Sequence, residues 1–426
     1  VIPAIIAPAF IVPSFRPSPK ELWAQYDGSL DGVFQDVSTY GGNPGQLASV
    51  GSLAYNADLN RGVVRANADA GLLQMFRIAS PLAAERLGDQ ILHSVDSFDG
   101  EIEFTESDQR IWLPFLTDAT PDNMRVEFAE YDSNGLTQIG GTETDPIDDS
   151  SINSNRLRSV VTDLDSTRAI WAYLGGLGMR VAVLTRSGGT LLTTVNSVLY
   201  GSGIEFTDFE GARPLNASRS LALFPTNTSA PFSIDAQGCA HPSDTPSQVG
   251  TAATVTTNAR RFGVRSGPYA RLSRCLDGLG LSKGRFLFGW IDDTTSTISL
   301  RCIQYDEATD TVSMGATIDV GSGDLFTLVT LGSGIVALVN QPDPTSSPGG
   351  FRIVEYNDSD VDDLEISMGA GGLNQVAKDG FLTGHPAGSI TRGFAISPNR
   401  FGIAVGNSFD GSVNVKVVHN GGDSFI

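Results

Sequence analysis

The chain has 426 residues, 40% of them hydrophobic and 18% charged, with a formal net charge of −20 at pH 7. That content supports a large buried core and speaks against disorder over any long span, and the negative balance argues against nucleic-acid binding through a broad basic surface. Lysine occurs only at Lys20, Lys283, Lys378 and Lys416 among the 28 basic residues, a bias that suits a saline medium and that a GC-rich genome also produces.

Residues 1–27 differ from everything after them and read as an extended apolar arm. Prolines at positions 3, 8, 13, 17 and 19 forbid a regular helix, and the apolar run is too short and too interrupted to span a membrane. Ile2, Ile5, Ile6, Phe10, Ile11 and Phe15 are large apolar side chains that need a surface to lie on, so they are the expected partner-binding residues. The remainder, residues 28–426, is organised by a repeat. Arg61 precedes Gly-Val-Val, Arg110 precedes Ile-Trp-Leu-Pro-Phe-Leu, Arg168 precedes Ala-Ile-Trp-Ala-Tyr-Leu and Arg219 precedes Ser-Leu-Ala-Leu-Phe. Arg285 then precedes Phe-Leu-Phe-Gly-Trp-Ile, Ser333 holds the same place before Gly-Ile-Val-Ala-Leu-Val, and Arg400 precedes Phe-Gly-Ile-Ala-Val. The steps are 49, 58, 51, 66, 48 and 67 residues.

A second, alternating run follows most anchors, as in 125–131, 298–303, 351–356 and 413–417, and reads as a half-buried strand. Weaker runs precede the anchors at 47–56, 102–107, 159–164, 325–331 and 389–396, and others follow at 189–200 and 310–320. Four strands per unit, repeated at this interval, predict an all-β propeller of seven four-stranded antiparallel blades. Only residues 419–426 follow the last strand, too few for a full outer strand. Residues 28–40, with Leu30, Val33, Phe34 and Val37, are therefore expected to close the ring from the N-terminal end.

With these runs in place, the chain resembles the seven-bladed β-propeller superfamily over about residues 28–426. The turn and strand Ile396-Ser397-Pro398-Asn399-Arg400-Phe401-Gly402-Ile403-Ala404-Val405 is similar to the strand-opening motif of bacterial and archaeal propeller repeats. No copy carries a Trp-Asp ending or a kelch double glycine, so the resemblance implies architecture and not activity.

Catalytic patterns largely fail. Gly280-Leu281-Ser282-Lys283-Gly284 has the Gly-x-Ser-x-Gly spacing of a nucleophile elbow, but it leads into a strand, whereas that chemistry needs a strand-to-helix turn. His93, His241, His385 and His419 show no paired metal spacing, and Cys239, Cys275 and Cys302 fit no metal site and imply no disulfide. No cofactor is expected, with one candidate exception. Asp358, Asp360 and Asp362 alternate as at the start of a calcium loop, although the glycine and final glutamate of such a loop are missing, and an acidic hairpin is the competing reading.

The anchor arginines are expected to form a ring on one face of the disc, in exposed structural ion pairs with acidic turns at 306–310 and 358–363. Recognition is assigned to the opposite face. Its expected members are His241 and Asp244, on a blade-to-blade connection spanning 237–268, together with Asp292, Asp293, Asp343 and Asp410. The preferred function is a non-catalytic attachment module of a virion (phage tail, fibre or spike) or another extracellular assembly, whose partners are other protein subunits. The alternative is a secreted propeller that binds or cleaves a cell-surface glycan.

Overall fold

A computed structural model of the chain describes residues 49–419, except 68–71, 81–82, 93–99, 106–108, 118–122, 145–158, 176–177, 188–189, 202–210, 228–230, 261–275, 281–283, 324, 333, 342–349, 361, 370–389, 399 and 407–412. The described residues form strands and turns and contain no helix. The arm (1–27) and the expected closing strand (28–40) lie outside them.

The first sheet is β1 (Ser49–Asn56), β2 (Arg61–Asn67), β3 (Leu72–Ser80) and β4 (Ala83–Leu92), paired antiparallel in chain order. A short β5 (Gly100–Glu101) leads into the second sheet, β6 (Glu103–Phe104), β7 (Arg110–Thr117), β8 (Asn123–Tyr131) and β9 (Leu136–Thr144). The third is β10 (Ser159–Asp163), β11 (Arg168–Gly175), β12 (Gly178–Ser187) and β13 (Thr190–Tyr200), with β5 pairing parallel to β10 and so tying the second sheet to the third. The fourth is β14 (Gly211–Asn216), β15 (Arg219–Pro225), β16 (Phe232–Ala240) and β17 (Ser247–Ala259). The fifth has β18 (Leu276–Gly280), β19 (Arg285–Ile291) and β20 (Thr297–Asp306), with a fourth strand split into β21 (Thr311–Met314) and β22 (Ile318–Ser322), both paired to β20. The sixth is β23 (Leu325–Gly332), β24 (Ile335–Gln341), β25 (Gly350–Tyr356) and β26 (Ile366–Met368). The last, three-stranded sheet is β27 (Ile390–Ser397), β28 (Arg400–Gly406) and β29 (Val413–His419).

Meander sheets that cannot bury their own faces must stack on one another, and they do so here as a β-propeller. The core lies between neighbouring sheets. One cluster joins Leu73 and Met75 of the first sheet to Ile111 and Leu113 of the second. Another joins Trp112, Trp171, Tyr200 and Phe224 across the second, third and fourth, and a third joins Phe232 and Ile234 to Phe288 and Trp290. Leu300 and Val320 pack against Leu328 and Val336, and Val339 and Phe351 against Phe401 and Ile403. The seventh sheet then meets the first, because Phe394 stands 4.6 Å from Tyr55 and 5.8 Å from Phe76 between ring centroids.

This packing explains the anchor repeat. Each anchor arginine is the first residue of the second strand of its sheet, and second strands are covered on both faces, as the wholly buried β19 illustrates. A strand buried on both faces reads as a continuous apolar run, which is why these runs dominate the sequence. Outer strands carry the opposite signature: β17 is largely exposed and is built from Ser, Thr, Ala, Gly, Val, Asn and Gln. Such a strand has no apolar alternation to detect. The expected connection 237–268 is accordingly corrected, since its residues through Ala259 complete β16, make a turn at 241–246 and form all of β17.

Candidate functional site

The turns that lead into the anchors are set by short polar side chains. Asp165 Oδ1 accepts from the Thr167 amide and hydroxyl, both at 2.8 Å, and from the Arg168 amide at 2.9 Å. Asn216 Oδ1 does the same with Ser218 N, Ser218 Oγ and Arg219 N. Asp/Asn-x-Ser/Thr-Arg is thus a turn that satisfies its own backbone donors before the strand starts. Burial works against ionised Asp165, but the Thr167 and Arg168 hydrogen bonds outweigh it and hold its carboxyl below the usual value.

Alternate turns of an antiparallel meander emerge at the same end, so the third-to-fourth turns share the anchor face. There the arginines span from one sheet to the next. Arg61 Nη2 donates to Ser133 O in the β8–β9 turn at 3.4 Å. Arg168 Nη2 donates to Ala217 O at 2.8 Å and Nη1 to His241 O at 3.2 Å, both in the fourth sheet. Arg219 Nε meets Asp310 Oδ1 in the β20–β21 turn at 3.2 Å. Arg285 Nη1 donates to Asn357 O, to Asp360 O at 3.1 Å and to Asp363 O at 3.4 Å in the β25–β26 turn. Arg110 instead pairs with Glu130 of its own sheet at 3.0 Å. Between the second and third sheets, Trp112 Nε1 donates to Asp163 Oδ1 at 2.7 Å, and Arg186 sits 3.7 Å from Asp163 Oδ2 and 5.3 Å from the Trp112 ring centroid.

The expected ring of arginines is therefore an inter-sheet clasp, with one correction to its character. Arg285 is fully buried and serves main-chain oxygens, while its ion pair with Asp358 is longer, at 3.5 Å. The turn it grips also contains Asp358, Asp360 and Asp362, whose side chains are exposed. Among the described residues no group of three or more His, Cys, Asp or Glu is placed to share a metal ion. In this turn it is the guanidinium on which the main-chain oxygens of Asn357, Asp360 and Asp363 converge.

His241 follows β16 and is fully buried. Its Nε2 lies 2.6 Å from Ser220 Oγ and its Nδ1 3.2 Å from Ala217 O. A carbonyl can only accept, so Nδ1 carries the proton and Nε2 accepts from the serine hydroxyl. The geometry has the form of a serine–histidine pair, but both residues are inaccessible, Ser220 included, and no reactant can reach the hydroxyl. Sequence reasoning missed Ser220, which falls inside an apolar run and whose partner lies 21 residues away. Cys239 is likewise buried beneath this turn, with burial pushing its thiol up to about 11, and it is an inert core residue.

The expected recognition residues do not share a face. His241 and Asp244 belong to the β16–β17 turn on the anchor face, whereas Asp292 and Asp293 belong to the β19–β20 turn at the opposite end. The separation follows from reading β16 and β17 as a connection. Asp292 caps its own turn, accepting from Thr294 N and Thr295 N, and also accepts from Asn258 Nδ2 of the neighbouring sheet at 2.5 Å; Asp293 is exposed. Asp343, Asp410 and the arm residues Ile2, Ile5, Ile6, Phe10, Ile11 and Phe15 lie outside the described residues, as does Ser282 of the Gly-x-Ser-x-Gly segment, which joins strand β18 to strand β19. No helix among the described residues is long and apolar enough to cross a membrane.

The sequence matches no family model and no curated protein. Solved structures are similar at low identity. A protein from Lactobacillus plantarum is 14% identical over 75% of this chain and 83% of its own, with a TM-score of 0.48. A putative 6-phosphogluconolactonase from Bacteroides uniformis is 12% identical over 78% and 87%, with a TM-score of 0.47. A chain of the COPII outer coat vertex on membranes is 12% identical over 87% and 84%, with a TM-score of 0.48. At these identities and scores the similarities bear on neither substrate nor partner.

Proposed function

We propose that this protein is a non-catalytic attachment module of a larger virion or extracellular assembly, a propeller disc that docks through its N-terminal arm and through the loops joining second to third strands. The observation that carries this reading is the fate of the polar groups on the anchor face. Arg168, Arg219, Arg285, Ser220 and His241 are engaged in joining sheets and setting turns, and the pair that could act as nucleophile and base is closed to solvent. In this reading the seventh sheet is a seventh blade, seated between the sixth and the first, and residues 28–40 supply its outer strand. Asp292 and Asp293 sit on the docking face, joined there by the connections that contain Asp343 and Asp410. Residues 1–15 contact another chain, because each large apolar side chain of the arm gains about 1.5–3 kcal/mol from full burial, and their prolines lower the ordering cost of docking.

Deleting residues 1–15 tests this. Loss of incorporation into the assembly and of higher-mass species in mass photometry, with an unchanged thermal melt, is the expected result. A sharply lowered melt with incorporation intact would make the arm an internal strap. Arm-independent hydrolysis of a polysaccharide by the monomer would replace the scaffold reading with an enzymatic one.

A further inference from the structure

The junction of the third and fourth sheets is built around one imidazole, that of His241. Ala217 O accepts two hydrogen bonds, from Arg168 Nη2 and from His241 Nδ1, and Arg168 Nη1 reaches His241 O. The His241 amide donates to Ser218 O at 2.9 Å, which fixes the end of β16 against the turn that Arg168 grips. Two further bonds cross the same junction, Tyr200 Oη to Gly238 O at 3.0 Å and Gln248 Nε2 to Leu199 O at 2.6 Å.

Two cations act electrostatically on the imidazole. Arg168 approaches from β11 and Arg219 from β15. Their carboxylate partners are turned toward the arginines: Asp165 Oδ2 lies 2.8 Å from Arg168 Nε, and Asp310 Oδ1 3.2 Å from Arg219 Nε. Asp310 also accepts from the Tyr305 hydroxyl. Cys239 and Tyr200 are held neutral by burial, their ionisation pushed upward. A proton on His241 would therefore place a buried positive charge beside two guanidiniums, and Ser220 offers it only a hydroxyl oxygen.

We propose that His241 is an acid-released latch: protonation expels the imidazole from beneath the β14–β15 turn, withdraws the oxygens that Arg168 grips and loosens the third sheet from the fourth. The turn at 242–245 gives the ring a way out, because Pro242, Ser243 and Thr245 are exposed. Burial above all, with Arg168 and Arg219 adding to it and the hydrogen bond to Ala217 partly opposing it, lowers the His241 value from 6.5 to about 4. The open form thus binds a proton more tightly than the closed one. The latch is fully effective above pH 6.5, weakens as pH falls through about 4 and levels off below that. Opening should rise about 20-fold between pH 7 and pH 5, toward a ceiling of about 300-fold.

Amide hydrogen exchange on the full chain tests the latch, using protection factors corrected for the intrinsic pH dependence of exchange. Peptides covering 211–246 should lose about 20-fold protection from pH 7 to pH 5 while 285–306 stays constant, and His241→Asn should remove that dependence. Equal protection at both pH values, or an equal loss in His241→Asn, would overturn the proposal. Should the variant fail to fold, the imidazole resonances of the unaltered protein decide: a His241 ring titrating between pH 6 and 7 refutes the latch, and one that titrates only below pH 5, together with opening of this segment, supports it.

Discussion

Replacing Arg285 with alanine tests what the anchor arginines do. The guanidinium has three main-chain acceptors, Asn357 O, Asp360 O and Asp363 O, and stands 5.4 Å from the Tyr356 ring centroid. Hydrogen bonds to a charged partner contribute about 1.5–3 kcal/mol, and leaving a buried acceptor without its donor costs about 1–3 kcal/mol. The three bonds share one nitrogen and are not additive, so Arg285→Ala should cost about 1.5–3 kcal/mol. The carboxylate is the lesser partner. Asp358 lies 3.5 Å away with its side chain 43% exposed, so Asp358→Asn should cost only about 0–1 kcal/mol. Arg285→Lys should fall between them, because a compact ammonium lacks the planar fork.

Chemical denaturation gives the global effect, and exchange at the Gly369 amide, which follows β26 and donates to Ile353 O of β25 at 2.9 Å, reads the β25–β26 hairpin directly. The expected pattern is a large loss in Arg285→Ala, concentrated in 350–368, with partner binding by the folded fraction unchanged. A cost below about 1 kcal/mol, or equal costs for Arg285→Ala and Asp358→Asn, would show that the exposed ion pair and not the main-chain grip is what counts. Loss of binding without loss of stability would make this face a recognition surface.

Three further outcomes follow from the same geometry. Trp112→Phe keeps a smaller aromatic ring but removes the donor to buried Asp163 and leaves part of the indole's space unfilled, so it should lower stability by at least about 1.5–3 kcal/mol in a denaturant titration, and a neutral result would refute a clasp at that junction. Asp165→Asn keeps the Oδ1 acceptor but removes the charge facing Arg168. Because its carboxyl is held below 3.8, the stability it supplies is present above that value and lost as pH falls through the depressed one. The melts of variant and parent should therefore differ slightly at pH 7 and converge in strong acid; a gap that persists in acid would contradict this. Gly250→Ala should destabilise by more than about 1 kcal/mol, since Gly250 has φ +69° and a Cβ there would strike Asp310 O of the next sheet; an unchanged melt would mean the two sheets can part at that point.

How much could be read from the sequence differs by position within a sheet. Second strands such as β15 and β19 are buried on both faces and announced themselves as unbroken apolar runs, so the register was legible at each arginine anchor, while Ser333 lies outside the described residues and its strand β24 starts at Ile335. Third strands such as β20 and β25 alternate and were also legible. β17 was not, because an outermost strand faces solvent and keeps only Val255 and Ala259 buried. That single omission turned a hairpin into a long connection and moved His241 and Asp244 to the wrong end of the disc. The turn chemistry was written in the chain as Asp165-Ser166-Thr167-Arg168 and Asn216-Ala217-Ser218-Arg219, and comparing the residues before each anchor would have exposed it. The Ser220–His241 contact had no such signature, since it depends on the register that sets Ser220 opposite Cys239, two residues before His241.

The clasp also bears on where this propeller can vary. A third-to-fourth turn such as 357–365 must deliver carbonyl oxygens to a guanidinium on the preceding sheet, and its length is fixed by that target. At the other end the second-to-third connections run from two residues between β11 and β12 to eight between β24 and β25. Changes in length there leave the arginine grip untouched, whereas a residue inserted at 357–365 displaces at least one of three oxygens. Insertion of a Gly-Ser pair within 342–349 should therefore be tolerated in a thermal melt, while the same pair within 357–365 should reproduce most of the Arg285→Ala loss. Equal tolerance at both ends would mean that the main-chain grip does not constrain the turn, and the division of the disc into a joining face and a variable face would lose its physical basis.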